Sequence, residues 1–540
     1  MIFEFRPVAS LPRLAWCARL RRGEEAVRVL HGAAVETAGH WFVEGVWNGP
    51  FGEAGILDAT MLLGSGGRAE STHVSFAAAS HPMDRLQYLR LPDELLISNS
   101  LTFLLAQGED GPDPDHRFYD RDIIGFVDGV SAAVRRLPTR RGRVLELLYC
   151  ANLTVDRDLR VSEQRRPQPR GFTDYADYVR FLTAELAALD RNARDPGRLR
   201  SRYEPLATIS TGYDSPACAV LARSIGCTRA VTVGAARPEY GGGADSGLEL
   251  GRRLGLTVTE YDRAAYLRRD DLIEAEFLAV GTGGEDVVMS AFEPELRDTL
   301  FFTGFLGDTL WGRLHALRDR EAADFRMRFP AGASLTEFRL RVGFVHLPVP
   351  LLTYGSQPSL HRISNSQAMR PWRVRNPHYD RPIPRRLVEE AGIPRELFGR
   401  RKRAVTQPFY HNEPLRQIMS QRSYRDFLDF CGARRPGHGS REQALALAVL
   451  PRVHAVQSLV SRGLSFAAGW LGISFTPGAW VHRRYRQPLG ENALTFHWAQ
   501  DRLGPRYDVA ADRLDPGAPL PVTADRAEAR RLTPAASHGP

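Results

Sequence analysis

Residues 205–217 read Pro205-Leu206-Ala207-Thr208-Ile209-Ser210-Thr211-Gly212-Tyr213-Asp214-Ser215-Pro216-Ala217. The apolar run 206–209 is typical of a buried strand. A turn of small and polar residues follows, and the apolar segment 217–225 then predicts a helix with Pro216 in its first turn. A strand, a tight turn and a helix N-terminus together favour the binding of an anion at the turn, because unpaired backbone N–H groups and the positive end of the helix dipole meet there.

The side chains of this turn suit a phosphate ligand. Ser210 and Ser215 can donate hydrogen bonds to phosphate oxygens, and Asp214 can hold the magnesium ion that accompanies phosphates. The turn lacks the lysine of the G-x-x-x-x-G-K-[ST] loop, so we predict a phosphate site of another kind. An ordinary strand-to-helix turn capped by Asp and Ser is the alternative interpretation.

Strands and helices alternate after this turn. We predict strands at 230–234 and 257–261 and a helix at 245–254. This alternation indicates an α/β fold with a doubly wound parallel sheet that binds ligands at the carboxyl ends of its strands. Farther along the chain, another apolar strand leads into the stretch Thr303-Gly304-Phe305-Leu306-Gly307-Asp308-Thr309-Leu310-Trp311-Gly312. Asp308 could share a magnesium ion with Asp214, although capping a helix is the alternative role.

The two turns resemble the S-G-G-x-D-S pyrophosphate loop and the [ST]-G-x-G-x-D-E-L-[FW]-G signature of the N-type ATP pyrophosphatases, in their asparagine-synthetase-like branch. Thr211, Leu306 and Thr309 depart from that pattern, which usually has glycine, glycine and glutamate there. The resemblance implies an adenine-nucleotide α-hydrolase-like (PP-loop) domain over 173–430 that binds ATP and Mg²⁺. It implies that Asp214 and Asp308 bind the metal. The nucleotide contacts that it implies are Ser210, Thr211, Gly212, Tyr213, Asp214, Ser215, Val231, Thr232, Val233, Gly234, Gly304 and Gly307. For the four residues 231–234, plain sheet core is the alternative.

Lys402 is the single lysine among 540 residues, of which 72 are lysine or arginine. It follows Ile383-Pro384-Arg385-Arg386-Leu387 and Gly392-Ile393-Pro394-Arg395-Glu396-Leu397-Phe398, and it lies within Arg400-Arg401-Lys402-Arg403. This region resembles the family's basic motif, in which a lysine stabilises charge on the reacting phosphoryl and acyl groups. A compact ammonium group differs chemically from a planar guanidinium, so we predict a catalytic role for Lys402. A random lysine on a solvated basic patch is the alternative.

Glu285 and Asp286 lie near the acceptor-side residues of the family. An acid at this position could take a proton from an attacking amine, so both are candidate catalytic residues. A solvated loop explains the same two residues equally well.

The N-terminal 155 residues have short strand patterns, such as 41–47 and 95–100, separated by Gly, Pro and Asp turns. They weakly resemble the glutamine-amidotransferase half of asparagine synthetases. Ile2 stands where that family has its cysteine nucleophile, so we expect a degenerate scaffold or substrate-recruiting domain without glutaminase activity. We predict a polar linker at 156–172, a helical extension at 431–504 and a flexible tail at 505–540.

Composition is that of a soluble globular protein, with 43% hydrophobic and 25% charged residues. The basic residues behind the net charge of +9 are dispersed, so we expect no nucleic-acid partner. The sequence has no apolar run long enough to span a membrane and no signal-peptide pattern. Its five scattered cysteines favour a reducing cytoplasm.

The resemblance therefore implies an ATP-dependent ligase that adenylates a carboxylate, releases pyrophosphate and forms an amide with an amine. The substrates would be small molecules or peptides, with a substrate-delivering protein as a possible partner. Two alternatives remain open: a nucleotide-binding scaffold that has lost catalysis, and a PP-loop enzyme that modifies RNA.

Overall fold

The computed structural model of the protein describes residues 1–237, 243–313, 327, 330–374, 379–409, 414–433 and 490–509. Its N-terminal part is built of strands. In chain order these are β1 Ile2–Pro7, β2 Trp16–Arg21, β3 Ala26–His31, β4 Glu36–Ala38, β5 Trp41–Trp47, β6 Leu62–Ala69, β7 His73–Ala77, β8 Leu86–Arg90, β9 Glu94–Ser98, β10 Arg136–Pro138, β11 Val144–Leu148, β12 Ala151–Asp156 and β13 Val161–Arg165.

These strands form two sheets that face each other. One sheet has the order β1-β3-β2-β9-β8-β11-β10 and the other the order β13-β12-β7-β6-β5-β4. Apolar side chains from both sheets share one core. There the ring of Phe42, from the second sheet, lies 4.9 Å from Trp16 and 5.2 Å from Phe3, which belong to the first. The N-terminal region is thus a β-sandwich, and the prediction that it is β-rich is confirmed.

The start of the sandwich shows the environment of Ile2. The Ile2 side chain is 59% exposed. The amino group of Met1 donates to the backbone oxygens of Glu70 and Ser71, at 2.5 and 2.8 Å. An isoleucine side chain offers no nucleophile, so the absence of glutaminase activity stays a prediction that follows from residue type.

The predicted linker at 156–172 is wrong over 161–166, because these residues belong to the sandwich. Strand β13 pairs with β12, and Arg166 directly after it is 3% exposed. The Arg166 guanidinium donates to Asn152 Oδ1 at 2.6 Å and to the backbone oxygens of Ile56 and Ala59 at 2.9 and 2.6 Å. Charged and proline residues suggested a linker, but the acceptors that bury this arginine lie far away in sequence.

The other strands of the described residues are β14 Glu204–Thr208, β15 Arg229–Val233, β16 Thr257–Tyr261, β17 Thr299–Thr303 and β18 Val345–Pro348. All pair in parallel, in the order β16-β15-β14-β17-β18, which confirms the predicted parallel sheet. The described α-helices are α1 Leu101–Gln107, α2 Tyr119–Ile124, α3 Tyr175–Ala193, α4 Asp214–Arg223, α5 Leu248–Arg253, α6 Ile273–Leu278, α7 Glu293–Leu296, α8 Gly307–Leu310, α9 Thr336–Val342, α10 Gln357–Asn365, α11 Pro382–Glu390, α12 Leu415–Ile418, α13 Gln421–Ala433 and α14 Thr495–Leu503.

The order of the parallel strands reverses at β14. From β14 the chain moves outward to β15 and β16, then crosses to β17 on the other side of β14 and continues to β18. Parallel strands end at the same edge of a sheet, so the turns after β14 and β17 are neighbours. Open parallel sheets bind ligands at the carboxyl edge where the strand order reverses.

A buried ion pair joins the sandwich to the helices beside the parallel sheet. Glu44 of β5 accepts two hydrogen bonds from Arg339 of α9, at 2.6 and 3.2 Å, and their side chains are 0% and 2% exposed. Burial raises the pKa of Glu44, and the charge of Arg339 opposes that rise. Met1–Asp508 form one compact unit. The second unit, Val509–Pro540, lies outside the described residues beyond Val509.

The predicted tail starts too early at 505. Residues Gly504–Tyr507 form a 3₁₀ turn, and Tyr507 is 1% exposed. Its ring stacks on Phe103 at 4.9 Å, and its hydroxyl donates to Glu337 at 2.5 Å. Of the predicted helical extension, residues 434–489 lie outside the described residues. None of the helices described is long and apolar enough to cross a bilayer.

Candidate functional site

The turn after β14 is held by its own hydroxyls and by Asp245. The Ser210 and Ser215 hydroxyl oxygens lie 2.8 Å apart, and Gly212 N donates to Ser210 Oγ at 3.1 Å. Thr211 donates to Asp245 Oδ1 from both its hydroxyl (2.6 Å) and its backbone N–H (3.2 Å). A glycine at this position could make only the backbone hydrogen bond. Thr211 therefore binds this turn to the loop after β15 with one hydrogen bond more than a glycine would.

Helix α4 starts at Asp214, directly after this turn, and Pro216 lies in its first turn as predicted. Proline suits that position because it has no N–H to leave unpaired. The helix therefore directs its N-terminus, with its positive end of the dipole, at the carboxyl edge of the sheet.

The turn after β17 approaches the first turn so closely that its glycines are required. A Cβ added to Gly304 would lie 2.7 Å from the backbone carbon of Asp214 and 2.8 Å from Ser215 N. A Cβ added to Gly307 would lie 2.5 Å from the Asp214 carboxyl carbon. Both contacts are shorter than real Cβ atoms make, so the turns after β14 and β17 pack tightly against each other around Asp214.

Leu306 keeps a glycine-like backbone in that second turn. Its φ is +62°, in the left-handed region, where a Cβ costs about 1–2 kcal/mol. The leucine side chain is 4% exposed within the core, and that burial offsets the strain. The helix α8, with Asp308 in its first turn, therefore starts directly after a leucine in a left-handed conformation.

Asp214, Asp308, Arg381 and Lys402 form one charged cluster at this edge. Lys402 Nζ lies 3.2 Å from Asp308 Oδ2, and Arg381 lies 4.0 Å from the same oxygen. Arg381 also donates to Asp214 Oδ2. The Arg381 side chain is 6% exposed and that of Lys402 is 42% exposed, so water screens the lysine contact far more.

The charges of the cluster shift its pKa values. Burial raises the pKa of Asp214, and Arg381 acts against that rise. Burial alone would lower the pKa of Arg381, but the carboxylates of Asp214 and Asp308 outweigh it and raise the pKa. Arg381 therefore stays charged, and it supplies the counter-charge that two neighbouring carboxylates need.

Aromatic rings pack against two arginines beside the turn after β14. The rings of Tyr213 and Tyr379 lie 4.8 Å apart. The guanidinium of Arg381 lies 5.1 Å from the Tyr379 ring centre, and that of Arg385 lies 5.0 Å from the Tyr213 ring and donates to its hydroxyl. Burial raises the pKa of Tyr213. Tyr213 is thus a buried packing residue whose side chain is committed to Arg385.

The segment 399–409, which we call the basic strap, crosses the carboxyl edge of the sheet and carries Lys402. Gly399 N donates to Thr211 O at 2.8 Å, and Ala404 O accepts from Arg237 N at 2.9 Å. Farther along, Gln407 N donates to Glu285 O at 2.8 Å. Gly399 is required at its end of the strap, since its φ is +64° and a Cβ would lie 2.2 Å from the Tyr213 ring.

Residues 231–234 differ in exposure, since three of them are buried and one is partly exposed. Val231 and Val233 are 1% and 4% exposed and pack in a core cluster. Thr232 is also buried, and its hydroxyl accepts from Gly247 N at 2.9 Å. Gly234 is partly exposed at the end of the strand. Among these four predicted nucleotide contacts, Gly234 is the one that the fold leaves accessible.

Glu285 and Asp286 lie beneath the strap and are 2% and 0% exposed, so a solvated loop is wrong. Both oxygens of Asp286 accept from Gly332 N at 2.9 Å, and one also accepts from the Ser334 hydroxyl at 2.7 Å. Burial raises the pKa of Asp286 to about 6. These bonds give Asp286 a structural role in holding the loop around Ser334, and the catalytic roles of Glu285 and Asp286 stay predictions.

The carboxylates fit a magnesium ion that is shared with phosphates. Magnesium in nucleotide sites uses one or two carboxylates, with waters and phosphate oxygens completing the shell. Asp214 and Asp308 supply two carboxylates, and Asp214 Oδ1 is buried without a hydrogen-bond partner. Within the part of the chain that the structure describes, no group of three metal-ligating side chains forms a metal cage of protein ligands alone.

Sequence reasoning missed Arg381, Tyr379 and Asp245. Arg381 directly precedes Pro382 at the start of α11, and only its sequence position near the quoted Ile383–Leu387 stretch hinted at it. Asp245 was predicted only as the first residue of a helix, whereas α5 begins at Leu248. No local pattern distinguishes these residues, because their partners Asp214, Asp308, Thr211 and Tyr213 lie far away in sequence.

No protein-family model matches the chain, and no curated protein matches it.

Proposed function

We propose that the protein is an ATP-dependent ligase that adenylates a substrate carboxylate, releases pyrophosphate and joins the acyl group to an amine. The observation that carries this proposal is the meeting of Lys402 with Asp308, at 3.2 Å, beside Asp214. These groups come from three chain segments, and the contact between Lys402 and Asp308 spans 94 residues. A compact cation beside two carboxylates would suit a nucleotide site, and Lys402 is the one lysine of the chain.

The arrangement of charge supports a triphosphate ligand. The N-terminus of α4 and the hydroxyls of Ser210 and Ser215 offer donors for phosphate oxygens. Asp214 and Asp308 would hold a magnesium ion, which supplies neutralising charge for the leaving pyrophosphate. The Lys402 side chain is 42% exposed, and its ammonium group would stabilise the negative charge that develops on the reacting phosphate.

The chemistry balances without a further reactant. A carboxylate oxygen of the substrate bonds to the α-phosphorus of ATP as the bond to pyrophosphate breaks. The amine nitrogen then bonds to the acyl carbon, AMP leaves, and the amine gives up a proton. Since Asp286 is fully engaged by Gly332 and Ser334, we assign this proton to no residue of the chain.

The substrates of the proposed reaction are a small-molecule or peptide carboxylate and an amine. The protein would not produce the nucleophile itself by hydrolysing glutamine. We propose a cytoplasmic enzyme without nucleic-acid or membrane partners, to which another protein could deliver a peptide substrate.

Magnesium-dependent exchange of pyrophosphate into ATP tests the proposal. Pools of carboxylates, or a lysate of the source organism, would be added to the full-length chain. We expect exchange that requires a carboxylate and disappears in Asp214→Asn. As a matched control, Asp262→Asn changes an exposed aspartate that pairs only locally with Arg268, and it should exchange like wild type. Exchange that survives Asp214→Asn would contradict the proposal.

Loss of catalysis is the second candidate, and Arg381 favours it. This arginine already pairs with both candidate metal ligands. Tight ATP binding with no exchange on any carboxylate pool would support a nucleotide-binding scaffold. RNA-dependent release of pyrophosphate would instead support an RNA-modifying enzyme.

A further inference from the structure

Arg381 lies between the two carboxylates that would bind the metal. It contacts Asp214 Oδ2 with one terminal nitrogen and lies 4.0 Å from Asp308 Oδ2 with the other. A planar guanidinium can bridge two carboxylates in this way, which a single ammonium group does less well. Arg381 therefore lies beside the Oδ2 atoms of both carboxylates, and a magnesium ion bound to those same oxygens would have to displace it.

The backbone of Arg381 is fixed while its side chain is long. The residue directly precedes α11, whose first residue is Pro382, and α11 packs against α4. The preceding residue, Asp380, is anchored by Arg313 at 2.6 Å and by Val374 N at 3.2 Å. A rotation of the Arg381 side chain alone could therefore carry its charge from the carboxylates to a neighbouring ligand.

The charges that face the cluster decide where Arg381 would go. With Arg381 and Lys402, the two carboxylates are already neutralised. A magnesium ion would add two positive charges, and the guanidinium and the metal would then repel each other. The phosphates of a bound nucleotide would be the nearest new anions, since the turn proposed to hold them leads into α4 at Asp214.

We propose that Arg381 exchanges partners when nucleotide binds. In the free protein its guanidinium holds Asp214 and Asp308 together, and on binding it releases them to the metal and turns to the phosphates. The inference rests on the proposed ATP site. It makes Arg381 a positioning residue that weakens metal binding in the absence of nucleotide and strengthens nucleotide binding.

Opposite effects of one substitution on metal and nucleotide test this inference. Manganese alone would be titrated into full-length protein and followed by electron paramagnetic resonance. ATP in the presence of EDTA would be titrated by calorimetry. We expect Arg381→Met to bind manganese at least about tenfold more tightly than wild type and metal-free ATP at least about tenfold more weakly. The gain for manganese should disappear in the double variant Arg381→Met with Asp214→Asn.

Arg386→Met is the matched control. Arg386 lies on α11, five residues after Arg381, pairs with Glu390 at 2.7 Å and lies near the rings of Tyr175 and Trp372. Both titrations should match wild type. Arg381→Lys keeps the charge but loses the planar fork, so its gain for manganese should be smaller, about two- to fivefold. This variant decides the matter if Arg381→Met fails to fold in a thermal melt.

The outcomes separate the two proposals. Manganese binding that is unchanged or weaker in Arg381→Met and Arg381→Lys would overturn the exchange of partners, even if wild type binds ATP. Tighter manganese binding with unchanged ATP binding would also overturn it, because the arginine would then not turn to the phosphates. If wild type binds no ATP with or without metal, the proposed function itself is wrong.

Discussion

Replacing Gly307 with alanine should displace the carboxylate of Asp214. The new Cβ would lie 2.5 Å from the carboxyl carbon and 2.6 Å from Oδ1 of that residue. An ordinary contact begins at 3.4 Å, so the carboxylate must move by about 0.9 Å. The new Cβ would also lie 2.8 Å from Asp214 Cβ, which a side-chain rotation does not move, so the backbone must shift as well and the loss of stability should be about 1–3 kcal/mol.

Function should suffer more than stability. A shift of about 1 Å in a group that positions reacting atoms can lower a rate about a hundredfold. We expect Gly307→Ala to bind manganese about tenfold more weakly in the presence of a non-hydrolysable ATP analogue. Where the carboxylate substrate is known, pyrophosphate exchange should fall about a hundredfold.

Two other glycines calibrate this experiment. A Cβ at Gly304 would meet the backbone of Asp214 and Ser215, which cannot rotate away, so Gly304→Ala should be the more destabilising variant. Gly432, in α13, has no atom near an added Cβ, so Gly432→Ala should bind metal like wild type. The reasoning would be refuted if Gly307→Ala folded normally and bound manganese within about twofold of wild type.

Three further variants test separate parts of the structure. Arg339→Met should lower the free energy of unfolding in urea by about 3–5 kcal/mol, because it leaves Glu44 buried without its partner. Adding Glu44→Gln should restore at least half of this loss, and a loss below about 1 kcal/mol would contradict the reasoning. Lys402→Arg should lower the rate of pyrophosphate exchange about a hundredfold while ATP affinity stays within about threefold of wild type. A wild-type exchange rate in this variant would instead support the alternative that Lys402 belongs to a solvated basic patch. Burial raises the pKa of Asp120 to about 7, so between about pH 4 and 7 the folded protein keeps a proton that the unfolded chain releases, and stability falls as pH rises. Asp120→Asn should therefore gain up to about 4 kcal/mol at pH 8 and nothing at pH 4 in unfolding measurements, whereas an equal gain at both pH values would contradict the buried charge.

The chain around β14 was predictable because its signals are local. An apolar run, a turn of small residues and Pro216 define a strand, a turn and a helix over little more than a dozen residues. The strand predicted at 257–261 matches β16 for the same reason. Arg166 shows the limit of such signals, since its polar surroundings in sequence gave no sign of the buried acceptors.

The candidate site was predictable in its residue types but not in its partners. Asp214, Asp308 and Lys402 could be named because each stands in a pattern that suits phosphate chemistry. That Lys402 contacts Asp308, and that Asp286 holds the loop around Ser334, depends on long-range packing that no short pattern records.

The sequence by itself determined the parallel sheet, the strand-to-helix turn at the start of α4 and the unusual single lysine, because backbone propensities and residue chemistry act locally. Only the tertiary structure decided that Gly304 and Gly307 must be glycine, and that Arg381 lies between Asp214 and Asp308. Both follow from the reversal of strand order at β14, which brings turns about ninety residues apart into contact at one edge of the sheet.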